Sequence, residues 1–371
     1  MEGKSNLSFF LHRPGQVSFA EQAIPELQSP QDVLLAINYT GVCGSDVHFY
    51  RHGGIGSYRL REPLIMGHEA AGTVVQVGSK VSSLVPGDRV AVEPGFPCRH
   101  CVACLSGKYN LCESMVFAAS PPYHGTLTGF FVAVHDFCYK LPDHVSLREG
   151  ALVEPLAVAV HIVRQAEVTP GTSVIVFGAG PVGLLCASVA RAYGATTVVS
   201  VDIVQSKLDV AKSFAATHVA LSESQDPHQN AAHVLRAGDL SSAGADVVID
   251  ASGAEISIQT ALHVVRMGGT FVQGGMGKSD INFPIMAMCM KEVTARGSFR
   301  YGSGDFQLAL DLISSGKVNV RELITGAVSF RSAEKAICKV SEGSVIKLLI
   351  AGPNETLKDE FSLETWGNGP Q

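Results

Sequence analysis

The chain has 371 residues, of which 46% are hydrophobic and 17% are charged, and its formal net charge is −6. This composition is typical of a well-buried globular enzyme and excludes an intrinsically disordered chain. The acidic balance, without a basic stripe, argues against nucleic acid as a partner, and the length suffices for two domains with separate cores.

The first 150 residues predict a β-rich domain. Short β-type runs at 32–38, 72–78 and 88–93 are separated by glycine and proline, a spacing that is typical of a barrel-like or rolled fold. The chain starts without an apolar signal segment or an arginine-rich transit pattern. Its cysteine usage also suggests a reducing compartment, so we expect a cytoplasmic protein.

Four residues are candidate ligands of a catalytic metal: Cys43, His68, Glu69 and Glu154. One thiolate, one imidazole and one or two carboxylates can form a mixed site with an open position, which is what catalytic zinc needs. Spacing alone does not bring them together. The alternative is that Cys43 is a small core residue and that His68 and Glu69 belong to an ordinary turn.

A second metal site is predicted by a cluster of four cysteines: Cys98, Cys101, Cys104 and Cys112. Thiols this close in sequence can surround one tetrahedral zinc ion, and such a site has no open position for chemistry. We therefore expect a structural zinc lobe at about 94–115, with disulfide pairing as the alternative.

From about Val158 the pattern changes to alternating strands and helices. Apolar strands are predicted at 172–178, 197–202, 246–250 and 270–275, and helices at 181–193, 206–214 and 258–267. This alternation favours a doubly wound parallel sheet covered on both faces. The uncharged run 168–190 has the length of a membrane span, but glycines interrupt its centre, so no membrane partner is expected.

A dinucleotide fingerprint lies between the first of these strands and the following helix. It reads Gly178-Ala179-Gly180-Pro181-Val182-Gly183, and Asp202 ends the next strand. The glycines permit a tight turn and the approach of a pyrophosphate, which would sit at the helix N-terminus. A carboxylate at Asp202 would bind ribose hydroxyls and repel a 2′-phosphate, which favours NAD over NADP. An ordinary glycine turn is the alternative.

The run Gly67-His68-Glu69-x2-Gly72-x5-Gly78-x2-Val81 resembles the zinc alcohol dehydrogenase signature of the medium-chain dehydrogenase/reductase superfamily. The resemblance extends over about residues 7 to 351. The segments 43–48, 154–158 and 297–302 are similar to the polyol (sorbitol) dehydrogenase branch, and 250–255, 271–277 and 283–287 resemble the fungal xylitol dehydrogenases (D-xylulose reductases) most closely.

The resemblance implies an α/β protein in which a GroES-like, β-rich catalytic domain is split around a Rossmann domain. The implied domains are 1–156, with the structural zinc lobe, then 157–297 for NAD, and then 298–371, which returns to the first domain and ends in a polar tail expected to be frayed from about Gly352. It further implies a homotetramer, one catalytic and one structural zinc, and hydride transfer from a zinc-bound alkoxide of a polyol to NAD.

The resemblance also implies roles for individual residues. Catalytic zinc would be held by Cys43, His68 and Glu69, with Glu154 reaching it directly or through water, and Ser45 and His48 would relay the proton. The cofactor would be bound by the fingerprint, Asp202, Lys207, Ser298 and Arg300. The polyol would be bound by Tyr50, Phe117, Arg300 and Tyr301. The four clustered cysteines depart from animal sorbitol dehydrogenases, which commonly lack them.

Several functions stay open at this point. Xylitol oxidation to D-xylulose is the first choice, and sorbitol or L-arabinitol 4-dehydrogenase activity would differ only in pocket details. A threonine-dehydrogenase-like enzyme is a further alternative. Two non-enzymatic alternatives are a zinc-lobe interaction protein and a cofactor-binding protein without turnover, but the second would be expected to lack Cys43 or His68.

Overall fold

The computed structural model describes residues 4–363, and the chain divides into two compact units. The first unit comprises Met1–Glu154 and Ala309–Gln371, and the second comprises Pro155–Leu308. Within residues 4–363, no helix has both the length and the hydrophobicity that crossing a bilayer requires.

The N-terminal part of the first unit is mainly β-structure. Its strands are β1 (Leu7–Arg13), β2 (Gln16–Glu21), β3 (Asp32–Gly41), β4 (Gly54–Ile55), β5 (Tyr58–Arg59), β6 (Leu64–Ile65), β7 (Glu69–Val77), β8 (Arg89–Val92), β9 (Gly95–Phe96), β10 (Val116–Phe117), β11 (Phe130–Val134) and β12 (Cys138–Lys140). Its helices are α1 (Gly44–His52), α2 (Val102–Leu105), α3 (Leu147–Gly150) and the start of α4 (Val153–Gln165).

The second unit contains a six-stranded parallel sheet. Its strands are β13 (Ser173–Phe177), β14 (Thr197–Asp202), β15 (His218–Leu221), β16 (Ala245–Asp250), β17 (Val265–Gln273) and β18 (Thr294–Gly297), and the helices are α5 (Pro181–Ala192), α6 (Gln205–Phe214), α7 (Pro227–Ala237), α8 (Glu255–Val264), α9 (Ile285–Met290) and the start of α10 (Asp305–Ser314). The order β15-β14-β13-β16-β17-β18 is that of a doubly wound sheet. The predicted membrane-length run 168–190 forms β13 and α5 in this unit.

The chain returns to the first unit with β19 (Ile324–Val328), α11 (Ala333–Ser341) and β20 (Lys347–Ala351). These strands complete a seven-stranded sheet in the order β12-β8-β7-β3-β20-β19, with β11 also paired to β3. Every residue of β20 is buried, although the strand begins with a lysine. The last strands of the chain therefore lie in the core that the first strands form.

The register of this sheet brings three distant segments together. Gly41 at the end of β3 pairs with Glu69 at the start of β7, and it pairs on its other side with Leu349 of β20. Val42 continues the contact, since its backbone N–H donates to the carbonyl of Leu348. One end of β3 thus has Glu69 on one side and the start of β20 on the other.

The segment Gly352 to Leu363, expected to fray, is instead held on the first unit. The Arg148 guanidinium donates two hydrogen bonds to Asp359, at 2.8 and 2.6 Å. Glu360 forms a parallel bridge with Ala327 of β19, and the N–H of Phe361 donates to the same residue. The prediction overlooked that a polar segment can be ordered by ion pairs and one aromatic anchor. The rest of the predicted frayed tail, 364–371, lies outside the described residues.

Candidate active site

Three of the predicted catalytic ligands meet in the first unit. One ligand atom each from Cys43, His68 and Glu69 lies within 4.8 Å of the other two. His68 and Glu69 are buried, and Cys43 is half-buried at the N-terminal end of α1. A thiolate, an imidazole and a carboxylate at this separation form a donor set that fits zinc.

Gly41 makes room for the carboxylate of this group. A Cβ atom at position 41 would lie 2.2 Å from Oε2 of Glu69, which is far inside contact distance. The paired register of β3 and β7 fixes both backbones, so neither can move aside easily. Only glycine at position 41 is compatible with this placement of Glu69.

Asp46 connects the two segments that carry Cys43 and His68. Its carboxylate accepts hydrogen bonds from the backbone N–H of Cys43, at 2.9 Å, and of Gly67, at 3.3 Å, and it lies 3.8 Å from Nδ1 of His68. Burial raises the pKa of Asp46 above its usual value, although the charge of His68 and the backbone hydrogen bonds oppose this. A carboxylate behind a metal-ligating imidazole fixes the ring and its tautomer.

Lys347 lies directly against Glu69. Its ammonium group donates to both carboxylate oxygens, at 2.8 and 2.7 Å, and to the carbonyl of Val42 at 3.2 Å. Burial lowers the pKa of Lys347, but the charges of Glu69, Cys43 and Glu154 outweigh burial and hold it above its usual value. An ammonium group of the protein therefore lies beside the candidate carboxylate ligand Glu69.

Glu154 is buried near the start of α4 and lies outside the group that comes within 4.8 Å. Its charge nevertheless acts on both His68 and Lys347.

The hydroxyl of Ser45, on α1, is 3.4 Å from Nε2 of His68. His48 is one helical turn further along α1 and exposed, and partial burial together with the neighbouring His52 lowers its pKa. Ligation by Glu154 and the proton relay stay predictions.

The four clustered cysteines also meet. Ligand atoms of Cys98, Cys101, Cys104 and Cys112 all lie within 4.8 Å of one another. Backbone N–H groups of His100 and Cys101 lower the pKa of the Cys98 thiol to about 6, whereas burial and the neighbouring thiols raise the pKa of Cys104 to about 12, so the cluster as it stands shares its protons unequally. Four thiols at these separations fit a closed tetrahedral zinc site and provide no position for a substrate.

The fingerprint of the second unit fits a dinucleotide. Gly178 has a φ of 93°, and a Cβ on Gly183 would collide with the carbonyl of Gly178 at 1.7 Å. A Cβ on Gly180 would meet nothing within 4 Å, so the backbone there is open to a ligand. Asp202 accepts from the N–H groups of Ala179, at 2.7 Å, and Val204, at 3.0 Å, which places its carboxylate beside the glycine turn.

Two buried polar atoms at the same edge of the parallel sheet have no hydrogen-bond partner among residues 4–363: Oε1 of Gln273 and Oγ of Ser298. Gln273 ends β17, and Ser298 follows β18 beside it. Unpaired buried polar atoms are costly, so a ligand with amide or hydroxyl groups is expected to satisfy them. This observation supports the cofactor role predicted for Ser298, and Gln273 was missed.

The residues predicted to bind the polyol lie in different parts of the chain. The Phe117 ring packs 6.1 Å from the ring of His68. The hydroxyl of Tyr50 donates to Glu334 on α11 at 2.8 Å. In the second unit, Tyr301 is buried against Phe306, and Arg300 has a φ of 54°. Lys207 lies half-buried on α6. The roles of these residues stay predictions.

The comparisons with known proteins agree with this geometry. Residues 29–143 match the model of the alcohol dehydrogenase GroES-like domain, and residues 181–315 match that of the zinc-binding dehydrogenase domain. The chain therefore belongs to the zinc-dependent medium-chain dehydrogenases, and it is an oxidoreductase. The predicted family and fold class, a GroES-like β-rich domain with a Rossmann domain, are confirmed.

Several individual proteins are similar to this chain over nearly its whole length. The chain is 58% identical, over 94% of its length and 97% of the relative, to a probable D-xylulose reductase A of Aspergillus clavatus. It is 57% identical, over the same shares, to the D-xylulose reductase A of Aspergillus niger. Among solved structures, L-idonate 5-dehydrogenase from Escherichia coli is 30% identical with a TM-score of 0.85, covering 94% of this chain and 98% of that one.

Proposed function

We propose that this enzyme oxidises xylitol to D-xylulose with NAD, using a catalytic zinc held by Cys43, His68 and Glu69. The meeting of these three ligand atoms within 4.8 Å supports alcohol oxidation. The choice of xylitol is supported by the high identity to proteins named D-xylulose reductase. NAD rather than NADP is supported by the carboxylate of Asp202 beside the glycine turn, where a 2′-phosphate would be repelled.

Each group at the site has its own part in the proposed reaction. Zinc, when bound, supplies a Lewis acid for the alcohol oxygen, and NAD accepts the hydride. Asp46 holds the imidazole of His68 and the backbone of Cys43 in place. Ser45 and His48 lie on one face of α1 and offer a path for the alcohol proton, since i and i+3 side chains are neighbours on a helix. Partial burial and the neighbouring His52 lower the pKa of His48, which favours the neutral imidazole that can accept that proton.

Glu154 is proposed to orient the hydroxyl group or a water molecule near the metal. It is a buried carboxylate whose charge acts on His68 and Lys347, so it lies close to the reacting group. A polyol presents several hydroxyls, and Arg300 and Tyr301 are suitable partners for them. Residues 1–156 and 298–371 are proposed as the catalytic domain and 157–297 as the cofactor domain. The two compact units support this division except for residues 298–308, which belong to the second unit.

We further propose that the enzyme is a cytoplasmic homotetramer. Strand β18 is the last strand of the parallel sheet, and its residues are largely exposed. Nearby on α9, Ile285, Met286 and Met290 are 52%, 65% and 75% exposed. An open sheet edge beside exposed apolar side chains is typical of an interface between copies. Light scattering coupled to size-exclusion chromatography would give the mass of the assembly.

The function is tested by the NADH absorbance that the zinc-loaded protein generates. Xylitol, sorbitol, L-arabinitol, threonine and ethanol are each tested with NAD and with NADP. The proposal expects the highest kcat/KM for xylitol with NAD and a loss of activity on chelation. A higher value for sorbitol or L-arabinitol would leave the chemistry intact and change the substrate. No turnover of any alcohol at full zinc occupancy would overturn the proposal.

A further inference from the structure

The Lys347–Glu69 pair is a fully buried ion pair inside the candidate metal site. Lys347 is 2% exposed and Glu69 is 1% exposed. The ammonium group has three N–H donors, and its three acceptors are the two oxygens of Glu69 and the carbonyl of Val42. The lysine is therefore fully satisfied in one position, and it has no freedom to serve another group.

Stability is a weak explanation for this pair. Removing two charges from water is costly, and well-packed apolar residues in their place are often neutral or stabilising. An apolar residue at position 347 would also match the apolar character of the rest of β20, which consists of Leu348, Leu349, Ile350 and Ala351. The position of the pair against Cys43 and His68 points to a role in the metal site.

The geometry limits how strongly Glu69 can bind a metal. Both of its oxygens already accept hydrogen bonds from a cation, so a metal must share an oxygen whose charge is partly neutralised. The positive charge of the ammonium group draws electron density from such an oxygen and repels a metal cation beside it, so the shared oxygen binds a metal more weakly than a free one. The hydrogen bonds of Lys347 go to Glu69 and to the Val42 carbonyl, so the direct weakening falls on Glu69, while Cys43 interacts with the lysine through charge only.

We propose that Lys347 is a positioning residue that keeps Glu69 a displaceable ligand, so that a coordination position is available to the oxygen of the substrate. The proposal rests on the proposed function, because it places zinc at Cys43, His68 and Glu69. Without Lys347, Glu69 becomes a tight ligand and competes with the polyol. The lysine thereby sets the balance between holding the metal and binding the substrate.

The test compares the wild type with Lys347→Met, in which the side chain keeps its approximate length but loses its charge. The enzyme is loaded with Co²⁺, whose visible absorption reports the number and geometry of its ligands. We expect the cobalt spectrum of K347M to change and KM for xylitol in the zinc enzyme to rise on the order of tenfold. Lys347→Arg keeps the charge and is expected to restore most of both properties.

Lys291 offers a matched control in the second unit. Its ammonium group also donates to three acceptors, the carbonyls of Leu262, His263 and Val265. Lys291→Met is expected to lower the melting temperature and to leave the cobalt spectrum and KM unchanged. If K347M behaves in the same way, Lys347 is a structural residue and the proposal is wrong.

The double variant Lys347→Met/Glu69→Gln shows whether the lysine acts through the carboxylate. We expect the spectral and KM effects of K347M to disappear when Glu69 is already Gln, and their persistence would contradict the proposal. If K347M does not fold, Glu69→Gln alone remains decisive. Loss of a displaceable ligand should weaken zinc binding by less than about tenfold, whereas a larger loss would overturn the proposal. Polyol oxidation by the wild type is measured in the same series. If the wild type is active, a negative result for the variants contradicts the role of Lys347 and not the proposed function.

Discussion

The carboxylate of Asp46 accepts a hydrogen bond from the backbone N–H of Cys43 at 2.9 Å, a contact that also caps the N-terminus of α1. The same carboxylate accepts from Gly67 and lies 3.8 Å from the imidazole of His68. One acidic side chain thus fixes the separation between a thiolate and an imidazole that are far apart in sequence.

Replacing Asp46 by Asn is therefore expected to weaken zinc binding by about 10- to 100-fold, the usual loss when a partner of a metal ligand is removed. The measurement is competition with a chelator of known affinity. Asp32→Asn is a matched control, because that buried carboxylate also accepts from two backbone N–H groups, those of Gln28 and Ser29. Equal zinc affinity in D46N and D32N would remove Asp46 from the metal site.

Glu154→Gln is expected to lower kcat by about 100-fold or more while zinc stays bound, because the amide cannot carry the charge of the carboxylate. The ligand group formed by Cys43, His68 and Glu69 does not include Glu154, so the metal content should not fall. Steady-state kinetics and metal analysis of the same sample are the measurements. Unchanged turnover would exclude Glu154 from the reaction.

Cys101→Ser addresses the structural zinc site. The four sulfur atoms form a closed group, so losing one should lower the melting temperature and the fraction of assembled protein more than it alters kcat per folded enzyme. Thermal unfolding and active-site-normalised kinetics separate the two effects. Retained stability with lost turnover would contradict a purely structural role.

Glu93 predicts a pH dependence of stability. It is buried and accepts hydrogen bonds from Tyr109, at 2.5 Å, and Tyr139, at 2.9 Å. Burial raises its pKa to about 7, although the two hydroxyls oppose this. Between its unfolded pKa, about 4.3, and 7 the folded state binds more protons than the unfolded state, so the contribution of Glu93 to stability falls as pH rises through this window and is constant outside it.

Glu93→Gln removes this titration and keeps a polar group for both tyrosines. The difference in unfolding free energy between the wild type and E93Q should therefore shift in favour of E93Q as pH rises from 5 to 8. Denaturant unfolding at several pH values measures it. A difference that is independent of pH would show that Glu93 does not titrate in this range.

Local pattern predicted much of the fold. The parallel sheet, the glycine turn and the cysteine group all depend on residues close in sequence, and each is found where it was expected. The errors occur where pairing between distant segments sets the end of an element. The helix predicted at 258–267 ends at Val264, because Val265 already pairs with Ala245 in the sheet. The helix propensity of a segment does not show where that segment begins to pair as a strand with a distant part of the chain.

In the candidate site, sequence motifs pointed to Cys43, His68 and Glu69, which do come together, but not to the residues that contact them. Asp46 was visible only as an acidic residue in the first turn of a helix, where a capping role is the ordinary interpretation. Lys347 could have been noticed as a charge at the start of an apolar run, but its partner Glu69 is 278 positions away. The register of β20 against β3 brings them together, and no local pattern contains that information.

The held segment Gly352 to Leu363 has a consequence for solubility. Strand β19 is the last strand of its sheet, and the only bridge on its open side, within the described residues, is the one from Ala327 to Glu360. Phe361 packs so closely over Gly326 that a Cβ there would lie 2.5 Å from its ring. Shortening the chain to residue 352 would expose a row of backbone donors and acceptors to other molecules, and such edges template aggregation. Removing this segment is therefore expected to increase self-association of the folded enzyme, which light scattering of the shortened chain would measure.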